Sequence, residues 1–321
     1  MDRRSFLRSM PAAAAAASLG GASAAAASLD ASSQDPVIDL DSNTPFQLDY
    51  APHDGMFRQS AGVNLKGIDS YLAQLEWVHA HGFRSWEDNG MAGRSIDDQD
   101  KIAAKMQALD MRMGVFVANF GTAFQPQTFT SGKKDALESF LADLNKAVEV
   151  AKRVNAKWMT IVLGTRDHRL PVGYQHANAI EMLRRGAEVF EPHGLTMVME
   201  PLNHINHPDM YLKHSDHAYM LCKAVQSPAV KILFDIYHQA VSEGDLWRNI
   251  DRCWDETGYF QIGDNPGRKE PYTGEVNYNE LFRRIHARKF DGILGMEHGN
   301  SQGGVEGERK LLRAYRRADQ F

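Results

Sequence analysis

Apolar residues fall into two alternating rhythms along this chain. Short, nearly continuous apolar runs occupy positions 46–50, 83–87, 113–118, 158–163, 196–199, 231–234, 259–262 and 293–296. A run such as Trp158-Met159-Thr160-Ile161-Val162-Leu163 suits a strand of a parallel sheet covered on both faces, because a half-exposed antiparallel strand would alternate. Between the runs the period lengthens to that of a helix. Ile180, Leu183, Ala187 and Phe190 share one stripe, with Gly194 beyond them as a stop. Leu137, Phe140, Leu141, Leu144, Ala147, Val148 and Ala151 share another. Eight strands, each followed by a helix, is the count of an α/β fold of the (β/α)8 barrel type. A doubly wound open sheet is the structural rival. No G-x-G-x-x-G follows the first strand to support a dinucleotide-binding version of it.

The first residues follow neither rhythm. Arg3-Arg4-Ser5-Phe6-Leu7 precedes an alanine-rich stretch that ends in small residues suited to cleavage, at Ala22-Ser23-Ala24 or Ala25-Ala26-Ala27. This is the layout of an export signal, and the paired arginines resemble the twin-arginine type. Positions 1–28 are therefore expected to be a twin-arginine-type signal read by the export machinery, with the periplasm as destination. The Ser- and Asp-rich stretch 29–44 is expected to be a disordered linker, and 45–321 the catalytic barrel. Twin-arginine export carries folded proteins, which suits an enzyme that takes up its metal before leaving the cytoplasm.

Composition narrows the partners. Hydrophobic residues make up 43% and charged residues 24%, which predicts a packed globule. A formal charge of -5 leaves no basic excess for a nucleic-acid backbone, and no strongly apolar run reaches the roughly 18 residues of a membrane span. Cys222 and Cys253 are too few for a thiolate zinc site and are expected as buried free thiols, with a bridge between them as the alternative that export permits.

Four strand ends carry polar side chains that the rhythm does not explain: Glu200, Asp235, Gln261 and Glu297, one strand-plus-helix repeat apart. In a barrel these positions meet around one rim. Three carboxylates ending apolar runs would be costly to bury and would repel one another unless a cation neutralised them. With the Gln261 carbonyl they form an oxygen-rich set suited to one Mg²⁺ or Mn²⁺.

The surrounding segments carry a resemblance. Phe234-Asp235-Ile236-Tyr237-His238, Glu243-Gly244-Asp245-Leu246, then Gln261-Ile262-Gly263-Asp264-Asn265-Pro266-Gly267-Arg268 and Glu270-Pro271-Tyr272-Thr273-Gly274-Glu275-Val276-Asn277-Tyr278 resemble hydroxypyruvate isomerase. That family belongs to the xylose isomerase-like TIM barrels, beside ketose 3-epimerases of the tagatose epimerase type. The likeness is strongest between Leu195 and Glu297 and is collinear from Phe46. It implies that Glu200, Asp235, Gln261 and Glu297 bind the divalent cation, that Glu200 and Glu297 are the acid/base pair, and that His238 and Arg268 contact substrate. It also implies a homo-oligomer and a small sugar or keto-acid substrate.

The chemistry is consistent with those roles. Moving a carbonyl to the neighbouring carbon requires removing one proton and delivering another, work suited to two carboxylates. Arg268 can hold a substrate carboxylate or a developing oxyanion, and His238 can donate to a substrate oxygen. The first expected reaction is hydroxypyruvate to tartronate semialdehyde. A ketose 3-epimerase, or an isomerase or lyase of a periplasmic keto sugar, is the alternative. A phosphodiester-cleaving barrel and a non-catalytic sugar-binding protein are rivals of other classes. One departure from the isomerases concerns Glu297-His298-Gly299-Asn300, where an aromatic usually follows the Glu. It is expected to change the pocket wall. His53, Glu87 and His168 are read as pocket-lining, cap or solvated side chains, and His204, His207, His214 and His217 as solvated or substrate-facing rather than ligands of a second metal.

Overall fold

The structure, a computed structural model, describes residues 38–62 and 64–321. The expected export signal and the linker up to residue 37 lie outside the described residues. Residues 38–44 are held against the body: Leu40 is buried in the core, and Arg316 donates to the carbonyls of Ser42 and Thr44, both at 2.8 Å.

The elements alternate in the expected order. Strand β1 (Tyr50–Ala51) leads through α1 (Arg58–Gly62) and α2 (Gly67–Ala80) to β2 (Ser85–Trp86), and α3 (Ile96–Ala108) follows. The third strand position is divided into β3 (Arg112–Met113) and β4 (Phe116–Val117). Then come α4 (Lys134–Val154), β5 (Trp158–Ile161), α5 (Val172–Phe190), β6 (Thr196–Met199), α6 (Ser215–Val225) and β7 (Val230–Asp235). Helices α7 (Ile236–Ser242) and α8 (Leu246–Cys253) lead to β8 (Thr257–Gln261), α9 (Tyr278–Ala287), β9 (Leu294–Gly295) and α10 (Gly304–Ala318).

All strand pairings within the sheets are parallel. Seven strands run in the order β1-β9-β8-β7-β6-β5-β4, and β2 pairs with β3. Parallel bridges between His53 and Glu87, and between Met113 and Ala156, join the pair to both edges of the larger sheet. The ring is thus a closed eight-position barrel, with β3 facing β2 and β4 facing β5. The apolar run 113–118 predicts one unbroken strand, whereas the structure breaks it at Gly114 and Val115. The reason is a close approach: a Cβ on Gly114 would stand 2.5 Å from the Tyr259 hydroxyl and 3.1 Å from the Trp86 carbonyl.

Side chains alternate across the ring, as strand geometry requires. Ala51, Val115, Trp158, Val198, Leu233, Tyr259 and Ile293 form one buried cluster inside the barrel. Their neighbours Tyr50, Met197, Met199, Ile232, Phe234, Phe260 and Leu294 pack outward in the larger core beneath the helices. Continuing that alternation by two positions turns Glu200, Asp235 and Gln261 inward. Gly295 and Glu297 follow Ile293 in the same way. The period-two pleat, together with parallel register, aims all four predicted side chains into one space.

Candidate active site

The site grows out of the inner row at the C-terminal ends of β6 to β9. Asp235 is fully buried and Glu200 nearly so, at 7% exposure. One Asp235 oxygen caps α7, accepting from the His238 backbone N–H at 3.1 Å. Its other oxygen accepts from the Arg268 guanidinium at 3.0 Å. The same Arg268 nitrogen donates to Glu297 at 2.7 Å, and the guanidinium lies over the Tyr237 ring at 5.2 Å. Asn89 holds the other Glu297 oxygen at 2.9 Å. Arg268 therefore bridges two of the predicted carboxylates.

His238 is buried and fixed by its neighbours. Its Nδ1 accepts from the Asn203 backbone N–H at 3.1 Å, which assigns the ring proton to Nε2. That nitrogen faces Glu200 at 3.6 Å and Asp235 at 3.7 Å. Glu200, Asp235 and His238 can each present a ligand atom within 4.8 Å of the others.

Gln261 is oriented from behind. Its amide nitrogen donates to Glu87 at 2.8 Å, and the other Glu87 oxygen takes the Tyr259 hydroxyl at 2.8 Å. The Gln261 carbonyl oxygen is buried with no hydrogen-bond partner. A buried unpaired acceptor costs about 1–3 kcal/mol, so its place beside carboxylates is a specific observation. The possible ligand groups around this space are a carbonyl oxygen and three carboxylates, with the His238 Nε2–H beside them as a hydrogen-bond donor. That set fits a hard divalent cation of the Mg²⁺ or Mn²⁺ type.

Charge divides these groups. Burial and the neighbouring Glu297 and Asp235 push Glu200 well above the usual carboxylate range. Burial raises Glu297 to about 7 against the pull of Arg268. Burial alone would raise Asp235 as well, but His238, Arg268 and the backbone N–H groups outweigh it and lower its value. His238 is lowered to about 4 by burial, with Arg268 adding to the effect and Asp235 opposing it, so its ring is neutral at physiological pH. Two carboxyl groups with raised values beside a neutral imidazole have the protonation pattern of an acid–base site.

The structure therefore brings together every residue predicted for the site. It also places residues that sequence patterning left open or passed over. Glu87, for which lining the pocket and capping were equally open, is fully inside: burial and Glu297 push it well above the carboxylate range. Gly295 makes room for it, since a Cβ there would stand 1.8 Å from its carboxylate. Asp264 is buried and organises the loop that carries Arg268, accepting from the backbone of Thr273, Gly274 and Val276 at 2.8–3.1 Å. Alternation at β2 could have flagged Glu87, but no local signal distinguishes Asp264 from a turn residue.

One further expectation is corrected and others hold. His298 does not form the pocket wall: it turns outward, is buried on α10, and bonds the Tyr315 hydroxyl at 2.7 Å. His207 lies at the mouth, its ring 5.5 Å from that of His238 and 6.0 Å from that of Phe124. His168 pairs with Asp209 outside the cluster at 3.2 Å. Cys222 and Cys253 are free and buried. No helix among the described residues is long and apolar enough to cross a membrane. A concavity of about 620 Å³ lies at the opposite end of the barrel around Lys157, Trp158 and Lys231; it holds none of the carboxylates described above.

Known proteins resemble this chain in sequence and in shape. A family model described as a xylose isomerase-like TIM barrel matches residues 75–317. Hydroxypyruvate isomerase of Escherichia coli is 32% identical over 76% of this chain and 93% of its own length. A 2-oxo-tetronate isomerase of Cupriavidus necator is 27% identical over 71% of this chain and 87% of its own. Among solved structures, a 3-keto-D-glucoside 4-epimerase from E. coli superposes with a TM-score of 0.68 at 16% identity, covering 84% of this chain and 99% of that one; at that identity the likeness is one of fold.

Proposed function

This chain belongs to the xylose isomerase-like TIM-barrel family as a hydroxypyruvate isomerase-like member, and on that premise we propose a divalent-metal-dependent isomerase working through an enediolate. Its substrate is a small hydroxy-keto acid or sugar, with hydroxypyruvate and tartronate semialdehyde the first pair to test. The observation that carries this reading is the unpaired Gln261 carbonyl oxygen among Glu200, Asp235 and Glu297.

Glu200, Asp235, Gln261 and Glu297 would hold the cation. When bound it would supply polarisation of the substrate carbonyl and charge compensation for the oxygens that develop negative charge. The chain's own groups move the protons. Glu200 and Glu297 end β6 and β9, three ring positions apart, so substrate between them is approached from two sides. One carboxylate takes the proton from the carbon beside the carbonyl and the other returns a proton to the neighbouring carbon. His238, its Nε2 proton facing this space, donates to a substrate oxygen. Arg268, already counter to two carboxylates, turns its charge to a substrate carboxylate or hydroxyl.

The test follows hydroxypyruvate by proton NMR in D₂O with the Mn²⁺- or Mg²⁺-supplemented protein. Metal-dependent entry of deuterium beside the carbonyl is expected, and Glu297→Gln should slow it by about 10²–10⁴ fold, the usual range for losing a positioned acid–base group. No exchange with hydroxypyruvate or a panel of ketoses, despite bound metal, would sink the proposal. A ketose 3-epimerase is the second reading. What favours it is the apolar mouth, where exposed Phe124 and Ile205 flank His207 and offer a surface to a longer sugar. Deuterium at C3 of a ketose, with no aldehyde formed, would select it.

We further propose that the protein is exported through the twin-arginine route to the periplasm. Replacing Arg3 and Arg4 by Lys should leave it in the cytoplasmic fraction. Equal periplasmic yield from both versions would remove that assignment.

A further inference from the structure

A second cluster of metal-ligating atoms lies outside the barrel centre, where α5 packs on α6. His176 projects from α5, His217 from α6, and Tyr211 from the segment leading into α6. His176 Nδ1 stands 2.7 Å from the Tyr211 hydroxyl. His217 Nε2 stands 3.2 Å from both His176 Nδ1 and that same hydroxyl. Tyr211 is 7% exposed, the two imidazoles are half-buried, and a cavity of about 480 Å³ opens beside all three.

We infer that His176, His217 and Tyr211 form a second metal site, selective for a late first-row ion such as Zn²⁺. Ligands at about 2.0–2.1 Å around a tetrahedral zinc lie about 3.3 Å from one another. The two contacts of His217 match that edge, and the His176–Tyr211 contact widens by about half an ångström to meet it. A fourth ligand, water, enters from the cavity. Imidazole and phenol donors suit zinc and copper and are poor ligands for Mg²⁺, so this site and the oxygen-rich barrel centre select different ions.

The surroundings favour a cation over an anion. Burial, reinforced by His176, lowers His217 to about 4, so the ring offers a lone pair at neutral pH. Burial raises the Tyr211 phenol, which enters as a neutral donor or loses its proton once the ion is bound. His214 lines the same cavity and stands as an alternative fourth ligand, whereas Arg166 and Lys213 at the rim are the cationic groups that a bound ion must clear. In the metal-free chain the triangle is held by hydrogen bonds, the neutral His217 ring supplying its own N–H and the Tyr211 phenol a second proton, and a bound ion would take their place.

Chelator-stripped full-length protein would be titrated with Zn²⁺ in the presence of excess Mg²⁺, and retained zinc measured after equilibrium dialysis. The wild-type chain should hold one zinc per chain more than His176→Gln or His217→Gln, the loss being at least about 100-fold in affinity, beyond the usual effect of disturbing a supporting residue. The two variants lie on different helices, so a folding failure in one leaves the other to read. In the wild type, ring ¹⁵N resonances of His176 and His217 should shift together on adding zinc. Equal zinc in all three proteins, or ring signals that stay in place, overturns the inference. Glu297→Gln keeps the extra zinc, so failure of the proposed isomerase chemistry leaves this result readable.

Discussion

Glu87 shows how a residue that touches no substrate acts through another. Its carboxyl receives the Gln261 amide and the Tyr259 hydroxyl, and this turns the Gln261 carbonyl toward the carboxylates. A Gln at position 87 keeps an acceptor for the amide and a donor for the phenol oxygen, whereas Ala removes both. Glu87→Ala should weaken Mn²⁺ binding by about 10–100 fold, the range for lost supporting contacts, with Glu87→Gln close to wild type; calorimetric titration reads both. Equal affinity for the Ala variant would mean that Gln261 needs no such orientation. At this scale the identities of the candidate ligands were legible in the sequence, because charged residues ending apolar runs need a reason. Glu87 was visible but ambiguous. Its run ends in Trp86-Glu87-Asp88-Asn89, and nothing local says which carboxylate turns inward.

Among the elements, the closing contact is between α10 and the start of the barrel. Asp319, just past α10, accepts from the backbone of Gln47 at 2.6 Å and Leu48 at 3.3 Å, and from the Tyr50 hydroxyl at 3.0 Å. Burial raises its carboxyl to about 6 despite these bonds. A raised carboxyl binds its proton more tightly folded than unfolded, so the associated stability is present at low pH. It is lost as pH rises from about 4, the unfolded value, to about 6. Denaturation profiles over that window should fall more steeply for the wild type than for Asp319→Asn. Parallel profiles would place the titration elsewhere. The helices and most strands were readable from periodicity. The break at Gly114 was not, because its cause is Tyr259, which is distant in sequence.

For the whole molecule, the proposed cation would couple folding to metal binding. Asp235, Glu200 and Glu87 are buried together, and a bound cation would relieve repulsion that exists only when the ring is closed. Saturating Mn²⁺ at about 100 times its dissociation constant should add about 2.7 kcal/mol of stability, since it binds the folded chain alone. A scan of thermal unfolding against Mn²⁺ concentration, with and without chelator, checks this; a midpoint independent of metal would contradict it.

What the sequence determined by itself was the rhythm and its chemistry: a parallel strand–helix repeat, a set of polar strand ends, and the motif that ties them to an isomerase family. These are local properties, written in the period of apolar residues and in short runs such as Phe234-Asp235-Ile236-Tyr237-His238. Only the tertiary structure decided which way each side chain faces and what stands behind it. Barrel closure placed Glu87 behind Gln261, Arg268 between Asp235 and Glu297, and His176 against His217 and Tyr211. The physical reason is that each pairing joins residues from different strand–helix repeats. Their distances depend on how the whole ring closes, and no window of sequence contains that information.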